Sequence, residues 1–176
     1  MNCVVIGATA GLGRSLSNRL AKEGHNLYLI ASDERDLESV SADLSLRYKI
    51  SVGYQAADLA SINATKLASD IISDLSAVDT LFYIAGLGDD DDCGSISEEL
   101  AERLMAVNFS AAVKIINAFL DHLTTRPIAN IVAIGSVAEI RGRKNNIIYG
   151  AAKRGLEFYF ASLRHKFAAS NCHVQF

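Results

Sequence analysis

Proline occurs once in the 176 residues, at Pro127, and tryptophan not at all. So little proline argues against Pro-rich linkers and for elements joined by short loops. Cysteine is scarce too: Cys3, Cys93 and Cys172 are odd in number, far apart and without metal-ligand spacing, so they offer neither a disulfide framework nor a zinc site. There is no Lys/Arg-rich run, and the net charge of -3 gives no electrostatic footprint for nucleic acid. No apolar run reads as long enough to span a bilayer, and Met1 to Gly7 lacks a basic n-region and a long apolar h-region. The expectation from these absences is a soluble chain in a reducing cytoplasm. Half of the residues, 50%, are hydrophobic, enough to bury one sizeable core in a single domain.

Short runs rich in β-branched residues alternate with longer amphipathic stretches, the pattern of βαβ units feeding a mostly parallel sheet. Strands are predicted at Cys3–Ile6, Leu27–Ala31, Ile50–Gln55, Val78–Ile84 and Ile128–Ile134, with a sixth beginning at Cys172–Phe176. Helices are predicted at Leu12–Glu23, Glu34–Tyr48, Ala60–Ser76, Glu98–Thr124 and Tyr149–Ala169. The acidic run Asp89, Asp90, Asp91, Asp92 reads as a solvated loop rather than a metal site.

Directly after the first strand stands Gly7-Ala8-Thr9-Ala10-Gly11-Leu12-Gly13, and a helix follows. Strand, glycine turn and helix start come in the order that brings a pyrophosphate onto backbone N–H groups at the positive end of a helix. The glycines serve a tight turn, an open approach for phosphate and close helix packing; the other reading is a turn that binds nothing. At the end of the second strand, after Ser32, the Asp33 carboxylate suits a ribose 2′-hydroxyl and repels a 2′-phosphate, which leans toward NAD. Equally, Asp33 is an N-cap for the helix that follows.

Tyr149 and Lys153 are four residues apart, on one face of a helix. A tyrosine hydroxyl has a reference pKa near 10, so exchanging a proton at neutral pH requires a neighbouring positive charge that favours phenolate. Lys153 supplies it. Ser136 ends the fifth strand, where open α/β sheets place their ligand crevice, in reach of a substrate oxygen.

The glycine loop, Ser136 and Tyr149-Gly150-Ala151-Ala152-Lys153 together resemble the short-chain dehydrogenase/reductase family, over essentially all 176 residues. The resemblance implies a Rossmann-type, doubly wound parallel sheet in a three-layer α/β/α sandwich. It further implies an NAD(P)-dependent oxidoreductase moving hydride between nicotinamide and a carbonyl or secondary alcohol. Tyr149 would be the general acid/base, and Lys153 would also steady the ribose. It assigns Asp58 to the adenine, Ala85 and Gly86 to the cofactor at the end of the fourth strand, and Asn108 to a proton-relaying water. Two departures stand out: Ile6 where many members have Thr, and Tyr83-Ile84 in place of a pair of asparagines. Ser32 replaces an Arg found in the members that this segment is most like.

From Ser136 through Arg141-Gly142-Arg143-Lys144-Asn145-Asn146 the chain resembles a narrower group, reductases of the decaprenylphosphoryl 2-keto-ribose type and relatives linked to cell-surface polysaccharide. Arg141, Arg143 and Lys144 then either face a phosphate or polyhydroxylated substrate or form an ordinary solvated loop. Members of the family usually continue past the sixth strand into a substrate lid and a last strand, so residues 1–176 are expected to form one catalytic domain lacking both. The long helices resemble those that join family members into homodimers or homotetramers. The rival expectation is a dinucleotide-binding or regulatory module without turnover.

Overall fold

The computed structural model describes residues 1–88, 92–93 and 95–176. Six strands, β1 (Asn2–Ile6), β2 (Asn26–Ala31), β3 (Val52–Ala56), β4 (Thr80–Tyr83), β5 (Ala129–Ala133) and β6 (Cys172–Gln175), form one sheet. Its order is β3-β2-β1-β4-β5-β6, and every pairing is parallel. The helices are α1 (Gly11–Lys22), α2 (Glu34–Tyr48), α3 (Ala64–Leu75), α4 (Glu98–Met105), α5 (Ala111–Thr124) and α6 (Ile147–Lys166).

Residues 3–6 and 27–30 are buried throughout, which is why β1 and β2 read as unbroken apolar runs. Successive residues of a strand point to opposite faces, and the two cores divide accordingly. Cys3, Val5, Leu27 and Leu29 pack with Leu20 of α1 and Leu37, Val40 and Leu44 of α2. On the other face Val4, Ile6, Ile30, Leu81 and Ile131 meet Leu67 and Ile71 of α3, Ile115 and Phe119 of α5 and Leu156 and Phe160 of α6. Helices on both sides of a parallel sheet in this order make a Rossmann-type three-layer α/β/α fold. The switch point lies between β1 and β4, where consecutive connections leave in opposite directions and open a crevice above the strand ends.

Several boundaries differ from the sequence reading. The stretch Ala60–Ser76 is not one helix: a single turn, Leu59–Ser61, precedes α3, whose start is fixed by Asn63 accepting from Lys66 N–H at 3.0 Å. The long helix from Glu98 is interrupted by a π-helical turn, Ala106–Ser110, between α4 and α5. As one 27-residue segment, Glu98–Thr124 is long and apolar enough to cross a membrane, which corrects the expectation that no such segment exists. Ala111, Ile115, Ile116, Phe119 and Leu123 give its apolar face to the core instead.

The acidic run also needs correcting. Asp89, Asp90 and Asp91 lie outside the described residues, but Asp92 is fully buried rather than solvated. It faces the start of α6, where unpaired N–H groups satisfy it. β6 runs for four residues in register with β5, Cys172 opposite Ala129 and Val174 opposite Ile131.

Candidate active site

The glycine loop turns from β1 into α1 at the switch point. Ala10 caps α1 without a side-chain hydrogen bond, and the first turn holds no acidic residue, so the N–H groups there are unclaimed by side chains. A Cβ on Gly13 would overlap the Gly7 carbonyl oxygen, so only glycine lets the helix start lie this close to the strand end. The donors therefore suit an anion such as a pyrophosphate.

A crevice of about 390 Å³ opens over this loop. It is lined by Gly7, Thr9, Ala10, Gly11, Leu12 and Gly13 from the loop, Ser32 from the end of β2, Asp58 after β3, and Ala85 and Gly86 after β4. Ten of the residues assigned to cofactor from sequence are thus brought to one surface. Ala31, Ala57, Leu59, Ile84, Leu87, Arg103 and Val107 complete the lining and were not anticipated. Arg103 on α4 places its guanidinium 3.5 Å from the Asp58 carboxylate, an exposed pair that adds little stability but puts a cation at the crevice wall. Nothing in the sequence marked it, because it meets Asp58 only across the crevice.

Asp33 does not line the crevice. Its carboxylate accepts from Asp36 N–H at 3.0 Å and caps α2. The lean toward NAD loses its basis here, since that carboxylate is committed to the helix and the crevice wall is formed by Ser32. Asp58 lines the crevice and also accepts from Ala60 N–H at 3.0 Å as the cap of the short turn.

The proton-transfer candidates sit beside the crevice rather than in its lining, and Gly86 joins the two regions. A methyl group placed on Gly86 would lie 3.4 Å from Asn108 Oδ1 and 3.8 Å from Lys153 Nζ. Lys153 is buried, donates to the carbonyl oxygen of Ile134 at 3.1 Å, and holds Nζ 5.9 Å from the centre of the Tyr149 ring one turn earlier on α6. Burial pushes the Lys153 amine below the ordinary lysine value, and the Glu139 carboxylate counteracts this by favouring the ammonium.

Ser136 starts a single turn, Val137–Glu139, with a reciprocal cap. Its Oγ accepts from Ala138 N–H at 3.2 Å, and its own N–H donates to Glu139 Oε2 at 2.9 Å. Among the described residues the hydroxyl proton has no acceptor, so it remains available to a substrate oxygen. The turn lies against α6 because position 150 is glycine: a Cβ there would come 2.9 Å from the Ala138 carbonyl oxygen. Gly150 is therefore a site residue in its own right, since this approach sets how near Ser136 stands to Tyr149.

Asn108 lies in the π-helical turn and is fully buried. It donates to the carbonyls of Leu87 at 2.7 Å and Leu104 at 2.9 Å and accepts from Leu87 N–H at 3.0 Å. Its side chain is thus a strut fixing the segment after β4. Tyr83 donates its hydroxyl to the Val107 carbonyl at 2.6 Å and ties β4 to the same turn.

A doubly wound α/β domain, with an anion-ready loop at its switch point and a Ser, Tyr, Lys group beside it, is a dinucleotide-type enzyme scaffold. The chain belongs to the short chain dehydrogenase family, whose model matches residues 2–176. It is 28% identical over 166 residues to the 3-oxoacyl-[acyl-carrier-protein] reductase of Haemophilus influenzae, covering 94% of this chain and 67% of that protein. To the inactive hydroxysteroid dehydrogenase-like protein 1 of Pongo abelii it is 27% identical over 176 residues, covering 98% of this chain and 53% of that protein. A short-chain dehydrogenase from Sphingobium yanoikuyae, solved in complex with NADPH, superposes with a TM-score of 0.91 at 26% identity, over 99% of this chain and 68% of that one. Against eight of its curated relatives the chain spans between 52% and 73% of their length.

Proposed function

We propose that this chain is an NAD(P)-dependent oxidoreductase acting on a small carbonyl compound or the corresponding secondary alcohol. The observation that carries the proposal is the juxtaposition at Gly86, which lines the phosphate-ready crevice and also stands against Asn108 and Lys153. Gly7, Thr9, Ala10, Gly11, Leu12 and Gly13 would hold the pyrophosphate, Ser32 and Asp58 the adenosine end, and Ala85, Gly86, Tyr149 and Lys153 the nicotinamide half. The Sphingobium relative was solved with NADPH, so NADP stands beside NAD as a candidate and no lean to NAD is kept. When bound, the nicotinamide supplies or takes up the hydride.

Ser136 donates its free hydroxyl proton to the substrate oxygen and orients it. Tyr149 transfers its phenolic proton to that oxygen during reduction and removes it during oxidation. Lys153, whose ammonium form Glu139 favours against the opposing effect of burial, stabilises the phenolate that results. Arg141, Arg143 and Lys144, all exposed, favour a phosphorylated or polyhydroxylated substrate. The resemblance of these residues to reductases of 2-keto sugars points the same way.

The test is a titration with NADH and, separately, NADPH, followed by reduced-nicotinamide fluorescence, which the absence of tryptophan leaves free of indole background. Saturable enhancement is expected, with turnover of keto-sugars or 3-oxoacyl thioesters. Tyr149→Phe is expected to cut turnover about 10³-fold while keeping the fluorescence titration intact. The similarity to a relative named inactive favours a second reading, a dinucleotide-binding module. Binding without turnover of any carbonyl tried would select it. A homodimer or homotetramer is expected in solution, as the resemblance of the long helices to the family's assembly helices implies. A monodisperse monomer by light scattering would rule that out.

A further inference from the structure

The start of α6 carries Tyr149 in its first turn, yet nothing in its own sequence caps it. Asn146, at the N-cap position, has left-handed backbone (φ 62°) and makes no side-chain capping bond. The first-turn N–H groups need acceptors, because no preceding helical carbonyl reaches them. All of them find the same distant residue. Asp92, from the loop that follows β4, accepts from Ile148 N–H on Oδ1 at 2.9 Å and from Tyr149 N–H on Oδ2 at 2.9 Å. Its backbone carbonyl accepts from Asn146 N–H at 2.6 Å and from Ile147 N–H at 3.3 Å. Four successive N–H groups thus converge on one fully buried aspartate, 57 positions away from Tyr149.

The geometry points to Asp92 as a positioning residue that fixes the first turn of α6, and with it the placement and electrostatic surroundings of Tyr149. The inference rests on the reading of Tyr149 as acid/base. Local capping would have required a side chain at Asn146 or its neighbours, and a cap of that kind would fix the helix without tying it to anything else. Here the cap comes from Asp92, a residue far from α6 in the sequence, so the first turn is tied to another part of the chain.

Charge adds a second consequence. A carboxylate at the positive end of α6 offsets the helix dipole next to Tyr149. The charged groups acting on the phenol are then Asp92 from the β4 loop, Lys153 on α6, and Glu139 from the turn after β5, which acts on Lys153. Removing the Asp92 charge leaves the helix end uncompensated and favours phenolate.

The experiment uses Asp92→Asn, which keeps an accepting oxygen in a side chain of the same shape, and Asp92→Glu, which keeps the charge. Tyr149 ionisation is read from tyrosinate absorbance as the difference between each protein and its Tyr149→Phe counterpart, with no tryptophan to obscure it. In Asp92→Asn the tyrosinate signal of Tyr149 is expected to appear at lower pH than in the unsubstituted chain. Turnover is expected to fall about three- to tenfold at unchanged NADPH affinity, and Asp92→Glu to restore most of both. Asp92→Ser, which also removes the charge, substitutes if the asparagine variant fails to fold.

A Tyr149 titration that superimposes on that of the unsubstituted chain overturns the inference. So does a fall in turnover that only matches the fraction unfolded, with an unchanged pH profile. Absence of nicotinamide binding in the unsubstituted chain defeats the proposed function instead, and leaves the tyrosinate measurement to decide Asp92 independently.

Discussion

Lys153 sits under two opposed influences, burial lowering its amine and Glu139 raising it. The sign of a substitution follows directly. Glu139→Gln keeps an oxygen for the Ser136 N–H but removes the charge, so Lys153 loses its proton at a lower pH. The alkaline limb of the kcat profile should then move to lower pH with the acid limb unchanged, as a pH–rate series on purified protein would show. Gly150→Ala tests a different dependence. The added methyl meets the Ala138 carbonyl at 2.9 Å and pushes the Ser136 turn away from α6. Turnover is expected to drop about 10²-fold, with reduced-nicotinamide affinity nearly constant, because a displacement on the order of an ångström at the reacting group suffices. Equal losses in affinity and turnover would place the damage in the crevice instead. At this scale the closeness of Lys153 to the Tyr149 ring was legible in the sequence through spacing, whereas the Gly150 contact was not, since a close approach between a turn and a helix leaves no local pattern.

The segment Glu98–Thr124 shows how one element serves both core and site. A π-helical turn carries an extra residue per turn and redirects the side chains that follow. Here it turns Asn108 inward onto Leu87 and Leu104 while α5 keeps its apolar stripe on the sheet. Tyr83 supports the turn from β4. With its ring almost wholly buried, the phenol is pushed far above the ordinary tyrosine range, so it stays a neutral donor to Val107. Tyr83→Phe removes that donor and leaves a carbonyl unpartnered, at a cost of about 1–3 kcal/mol. Chemical denaturation should register this as a lower midpoint with unchanged slope. The apolar periodicity of this segment was readable as a helix, but the π turn was not. Its stability comes from Tyr83 and Leu87, residues on another element.

For the whole molecule, the region where the chain enters β4 and β5 couples stability to pH. His122 on α5 accepts from Val78 N–H through Nε2 at 2.9 Å, while burial first and Arg126 second hold its pKa below the ordinary 6.5. The unfolded chain therefore binds this proton more readily than the folded one. Stability is complete above the unfolded value and is lost as pH falls through about 6.5 toward the folded value. Urea midpoints taken between about pH 8 and pH 5 should decline, and His122→Gln, whose amide oxygen still accepts, should flatten the decline. Asp79 is different. Burial opposes its ionisation, but the Asn2 N–H and the Arg126 guanidinium outweigh that and hold its carboxyl below 3.8. Its contribution is present above 3.8 and is lost only at more acid pH, so the two losses are separable on one titration.

By itself the sequence determined the layer architecture, because strand and helix periodicities are local and each βαβ unit announces itself by them. It also determined the glycine loop and the tyrosine-lysine pair, whose chemistry depends on spacings of a few residues. Only the tertiary structure decided what each carboxylate does. Asp33 became a helix cap, Asp58 faced both the crevice and Arg103, and Asp92 left an apparently solvated run to cap a helix 57 positions away. A carboxylate goes wherever unpaired N–H groups or cations await it, and those partners were assembled by chain crossings that no local pattern records.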